Sequence, residues 1–241
     1  MTSLGVLVQG ELQRMQRYHI LTGGFVVALI WVLALYLMDA AMLRTMFTTV
    51  LYLDAVSMPM LLVGVSLYFE RQEGSLKSML VAPIARSTYV TSKLLVLILS
   101  GIITLAVLYI YGRFFRGLDV HLLGLIVTVV LCAAFHTLLG FLATYRSKDF
   151  TSLLMNVMAY MLLLGIPVIL EFMGLFNHRF LTALLYALPT KAVMVMLSSS
   201  VNNSFNWEFV YGLLYFLAVG ALLFRQVLSG FAPFAEKEGG V

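Results

Sequence analysis

The residues of this chain whose types and spacing suit chemistry fall into three groups. Asp54, Ser57, His136 and Asn156 are polar residues inside long apolar stretches. A carboxylate or imidazole there needs a partner or water, and it marks either a substrate or proton route or a bond between neighbouring helices. Glu70, Glu73, Gly74, Ser75, Leu76, Met79, Leu80 and Pro83 share one charged loop. Glu171, with Asn177, His178 and Arg179, collects at the end of another apolar stretch, as an exit gate or a solvated cap. Catalysis has little to stand on, because no Ser-His-Asp set and no metal-ligand spacing occurs. The single cysteine, Cys132, lies inside an apolar run, so no intrachain disulfide is possible and no metal or redox centre is expected. The chain also lacks a Gly-x-x-x-x-Gly-Lys-Ser/Thr phosphate loop and has no Gly-Lys pair. It is expected to bind no cofactor itself, so any ATP and Mg must sit on a separate chain. A passive channel or a proton-coupled carrier would show the same absence.

The elements that position these residues follow from composition. The chain is 62% hydrophobic and 11% charged, against roughly 45–50% and 25% in soluble domains. One water-soluble core cannot hide that much apolar surface. The apolar runs are unbroken rather than alternating, so the expected fold is an all-α membrane protein and not a barrel. Crossing a core of about 30 Å takes about 20 apolar residues, and six stretches meet or approach that length: 20–38, 45–69, 94–112, 122–145, 150–170 and 207–224. A further apolar segment, 178–203, is split by Pro189-Thr190-Lys191 into pieces short enough to be re-entrant or interfacial; a seventh span is the alternative.

Lys and Arg residues are scattered singly, so they read as topology signals and not as a nucleic-acid surface. Six spans place ten of them on one side and five on the other. The richer side is cytoplasmic, so both termini lie inside. Leu4, Leu7, Val8, Leu12 and Met15 recur at helical spacing, which suits an interfacial helix over 1–18, against lipid or other protein. Residues 229–241 show no periodicity and read as a loose cytoplasmic tail.

Within this frame Asp54 lies about nine residues into the second span from its external end, with Ser57 and Gly64 on nearly the same face. His136 lies about nine residues, roughly 14 Å, from the inner end of the fourth. An Asp54–His136 proton relay would make the protein a secondary carrier. Thr128, Cys132, His136, Gly140 and Thr144 recur every four residues, the stripe expected where helices approach closely. Asn156 suits a helix-to-helix hydrogen bond. The loop 70–92 is the most informative stretch. Gly74 lets the chain turn, Ser75 can cap a short helix with Leu76, Met79 and Leu80 on one face, and Pro83 ends it. Ser87 and Thr88 can cap the next helix, through Lys93. A short helix held flat against the membrane is either an ordinary amphipathic loop or a handle for a soluble partner.

Glu70, Glu73-Gly74-Ser75-Leu76, Leu80, Pro83, Tyr89 and Lys93-Leu94-Leu95 together resemble the loop of ABC-2-type transporter permeases. Six spans, the N-terminal helix and the broken segment before the last span extend the resemblance over nearly the whole chain. It implies that Glu70 to Pro83 form an ATPase-coupling region and that 178–203 forms external re-entrant helices. It also implies export, in a complex with two cytosolic ATPase subunits and a second permease chain, identical or not. The haem-exporter permeases of cytochrome maturation share a similar loop, and small permeases named as fluoroquinolone exporters are of similar size. The resemblance places the chain in a bacterial cytoplasmic membrane, among lipids, with a hydrophobic or amphipathic substrate.

Overall fold

The computed structural model describes residues 3–175 and 178–237, apart from the side chains of Leu80 and Lys237; every regular element among these residues is helical. Eleven α-helices follow in order: α1 Ser3–Arg17, α2 Ile20–Tyr36, α3 Ala40–Gln72, α4 Ser75–Val81, α5 Arg86–Ile110, α6 Leu122–Arg146, α7 Phe150–Tyr160, α8 Ile166–Phe172, α9 Arg179–Leu185, α10 Pro189–Val201 and α11 Trp207–Lys237. Two π-helical turns, Tyr111–Phe115 and Met161–Gly165, extend α5 and join α7 to α8. Five helical stretches are long and apolar enough to cross a membrane. Counting the bent pairs α1–α2 (66°) and α9–α10 (97°) as one span each gives up to seven.

Burial sorts these helices. The most apolar window of α3 is 67% buried and that of α6 56%, whereas α11 reaches only 11%. The first two therefore form the centre, and α11 presents apolar side chains such as Leu214, Leu217 and Leu222 outward. The centre is tight because α6 carries small residues on the face it turns to α3. A Cβ on Gly140 would stand 2.8 Å from the Met60 Cα and 2.9 Å from the Met60 carbonyl oxygen. Backbone cannot swing aside as a side chain can, so Gly140→Ala is expected to cost about 1–3 kcal/mol. It should lower the melting temperature in detergent, while Gly10→Ala, with nothing within 4 Å of the new atom, should not.

Proline leaves one carbonyl without a helical partner, and side chains also donate to carbonyls at a π-turn and at a helix end. Pro59 has no N–H for the Ala55 carbonyl, and the Cys132 thiol donates to that oxygen at 3.1 Å. At the π-turn before α8, the Thr190 hydroxyl donates to the Leu164 oxygen at 2.6 Å and Tyr52 to that of Gly165 at 3.2 Å. Arg116 caps α2, donating to the carbonyls of Leu35 (3.0 Å), Tyr36 (3.2 Å) and Met38 (2.6 Å). A guanidinium also suits the negative end of the helix dipole.

Several boundary expectations are corrected. Ser75 is the first residue of α4 and not its cap: Gly74 holds that position at φ +69°, and the Ser75 hydroxyl donates back to the Glu70 carbonyl at 3.1 Å. Likewise Ala85 precedes α5, which starts at Arg86, so Ser87 and Thr88 lie inside it. Residues 229–237 of the expected loose tail continue α11, with Phe231 and Ala235 buried, because an aromatic face there packs against Tyr89 and Tyr145; residues 238–241 lie outside the described residues. Gly64 faces Leu153 and Thr144, away from Asp54, whose partner is Trp31 on α2.

Candidate functional site

The densest polar constellation sits where α1, α3 and α5 meet. The last turns of α3 carry Ser66 and Glu70, and Glu73 caps the helix, at i, i+4 and i+7. The start of α5 carries Tyr89 and Lys93 at i, i+4, and α1 carries Glu11 four residues from Leu7 and from Met15, within its apolar side. Lys93 is wholly buried. Its ammonium donates to Glu11 at 2.8 Å and Ser66 at 2.7 Å, and lies 3.1 Å from Glu70. Two of its N–H donors are thus hydrogen-bonded, and Glu70 supplies a second carboxylate beside the charge. Arg14 pairs with Glu11 at 3.1 Å and with Glu70, and its Nε lies 3.6 Å from Glu73. Tyr89 donates to Glu70 and Tyr18 to Glu73. Two cations thus meet two buried carboxylates, with Glu73 at the solvent edge. Such a network survives burial only when its charges are matched and its donors satisfied.

Arg14 and Lys93 are both held in the network. Glu11 and Ser66 went unrecognised; the signal was an acidic residue at i+4 within an otherwise apolar helical face.

The electrostatics have a consequence for pH. Burial alone would push the Glu11 carboxyl up, but Lys93, Ser66 and Arg14 outweigh it and hold it below its ordinary value of 4.5. A carboxyl depressed by folding contributes stability above its unfolded value and loses it as pH falls through the folded one. Acidification below 4.5 is therefore expected to lower the melting temperature, and Glu11→Gln should flatten that acid limb.

From this anchor α4 projects. Leu76 is buried beside Leu67 and Tyr89, Met79 is half-buried, and Lys77, Ser78 and Val81 are exposed. Ala82 is extended ahead of Pro83, which ends the helix as expected. A groove of about 330 Å³ runs between α1 and α4, lined by Val6, Leu7, Gly10, Ser78 and Met79 with Arg14 and Glu70 beside them. The structure therefore gathers Glu70, Glu73, Gly74, Ser75, Leu76 and Met79 around one junction; the Leu80 side chain lies outside the described residues.

The interior candidates are not brought together. Asp54 accepts a hydrogen bond from the Trp31 indole at 3.1 Å, and the Ser57 hydroxyl turns back to the Leu53 carbonyl at 2.6 Å. His136 is fully buried among Cys132 and Tyr160, its Nε2 3.2 Å from the Tyr160 hydroxyl, and no hydrogen bond joins it to Asp54 among the described residues. Asn156 is exposed and donates at 3.0 Å to Ser147, in the turn after α6, instead of bridging two helices. At the opposite end from α4, Glu171 receives a 2.6 Å bond from Lys191 at the start of α10. His178 stands exposed ahead of α9, and Asn177 lies outside the described residues.

Comparison with known proteins accounts for nearly the whole chain: the profile of the fluoroquinolones export permease protein family matches residues 2–235. The chain belongs to this family. Two relatives, both called fluoroquinolones export permease protein, come from Mycobacterium tuberculosis strains CDC 1551 / Oshkosh and ATCC 25618 / H37Rv. Each is 24% identical over 243 residues, covering 100% of both chains. The charge network and the α4 junction of this permease family member lie within the matched residues.

Proposed function

We propose that this chain is the membrane-spanning subunit of an ATP-driven exporter in the bacterial cytoplasmic membrane. It moves a hydrophobic or amphipathic compound outward, while separate cytosolic subunits bind and hydrolyse ATP with Mg. The relatives' name supports export, and a fluoroquinolone-like drug falls within the substrate class. The observation that carries the ATP-driven reading is α4, a seven-residue helix set between two long helices and moored beside α1 by the Glu70 network. A rigid lever at the membrane face is what a soluble motor needs to grip.

Six crossings fit this reading. The thirteen residues of α10 reach about 20 Å, short of a core of about 30 Å, so α9 and α10 form a re-entrant element on the outer side. The 17 residues of α2 come close to spanning, and α1 lies in the inner interface, which puts both termini and α4 in the cytoplasm. A second permease chain, the same or different, completes the cavity, and two ATPases sit beneath. Glu171 with Lys191 ties α10 to α8 as an outer gate.

Purification in mild detergent from the native host, followed by reconstitution, tests the proposal. The expected result is co-purification of a soluble P-loop ATPase and dye transport that requires ATP. Transport by the chain alone, driven by a proton gradient and abolished by Asp54→Asn, would overturn it in favour of a secondary carrier.

A further inference from the structure

Asp54 lies in the middle of α3 with 6% of its surface exposed. A carboxylate at such depth is costly unless compensated. The Trp31 indole supplies one hydrogen bond, and no Lys or Arg lines the cavity onto which Asp54 opens. The carboxylate's charge is therefore left for something else to meet.

That cavity lies between α2, α3, α5 and α6 and holds about 20 Å³. The volume exceeds the roughly 10–15 Å³ that one water needs, so a small ammonium head can enter it. Ser100 and Thr104, one turn apart on α5, share its wall with Asp54. Three oxygen-bearing side chains thus border the cavity, and an ammonium offers three N–H donors. Around them the wall is apolar, with Leu51, Met58, Leu97 and Leu105, so a hydrocarbon or aromatic tail leaving the head would stay dry. Gly24 and Gly101 also border the cavity; lacking side chains, they leave room between α2, α5 and α6.

We infer that Asp54, with Ser100 and Thr104, binds the protonated amine head of an amphipathic substrate. The site selects a primary or secondary amine, because a trimethylammonium has no N–H to offer the three oxygens, and an anionic head is repelled by Asp54. The inference rests on the exporter reading and names its substrate class.

The test is equilibrium binding of a dansylated alkylamine to the full chain in lipid nanodiscs, against the matched alkanol and the matched trimethylammonium. Wild type should hold the amine at least about tenfold more tightly than either. Asp54→Asn should erase that preference and Thr104→Val should weaken it, whereas Asp54→Glu should keep part of it. The two comparison ligands probe charge and N–H donation on the unaltered protein, so the outcome does not depend on a variant folding. Equal binding of amine and alkanol by wild type would overturn the inference. So would a preference that survives Asp54→Asn, or one-for-one displacement of the amine by sodium, which would mark a metal-cation site. Recruitment of an ATPase is scored separately. An amine preference without any ATPase removes the exporter reading and leaves the site standing, while ATP-driven transport without that preference does the reverse.

Discussion

Lys93→Met is expected to be the most damaging single substitution in the chain. The lysine is wholly buried, and its ammonium, like the partly exposed Arg14 guanidinium, touches both Glu11 and Glu70. Methionine fills a similar volume, so little cavity forms. What remains is a pair of buried carboxylates with only Arg14, itself partly exposed, to balance them. Breaking a buried ion network from one side costs about 3–5 kcal/mol, a large part of the roughly 5–15 kcal/mol that holds a folded domain. The expected readouts are poor recovery of monodisperse protein and a sharply lowered melting temperature. Adding Glu11→Gln removes the orphaned charge and should restore part of the loss, since double substitutions within one network are not additive. A Lys93→Met chain that melts like wild type would show that the charges are solvated and that α1 is not moored by them.

Gly74→Val is expected to leave insertion intact and to lower ATP-driven transport by at least tenfold, if α4 is the lever proposed above. Gly74 holds φ +69°, and a Cβ there meets no atom within 4 Å. The obstacle is therefore backbone conformation and not space. A left-handed conformation costs an ordinary L-residue about 1–2 kcal/mol, and a β-branched one is a genuine outlier there. Relief comes by rotating the junction, which swings α4 off its seat on Leu76. Asparagine tolerates the left-handed region, so Gly74→Asn should transport nearly as wild type does. Measuring dye export and ATP hydrolysis in the same proteoliposomes separates the outcomes. Hydrolysis that continues while export fails is the uncoupled result, and unchanged export by the valine variant would remove α4 from the mechanism.

The readable parts of this protein are those in which local physics leaves no choice. Apolar runs of about twenty residues must be helices in lipid, because no other arrangement satisfies the backbone. Pro189 has no N–H to continue a helix, so the apolar segment breaks ahead of it. Gly74 and Pro83 bracket α4 for equally local reasons. Even the close face of α6 was visible, since small residues four apart can serve little but contact.

The polar partners were not visible, because they join residues far apart in the chain. Glu11 meets Lys93 across 82 positions and Asp54 meets Trp31 across 23. No periodicity encodes such a pairing; it appears only once helices have crossed at a particular angle and register. The same holds for the end of α11, where burial of Phe231 and Phe234 against neighbouring helices supports a segment that shows no helical pattern of its own. By itself the sequence determined which long apolar segments are helices, where Pro and Gly break them and how apolar each is, because those depend on neighbours in the chain. Only the tertiary structure decided which buried charges are matched and which, like Asp54, still face a cavity, because electrostatic balance in a low-dielectric interior is set by distances between elements.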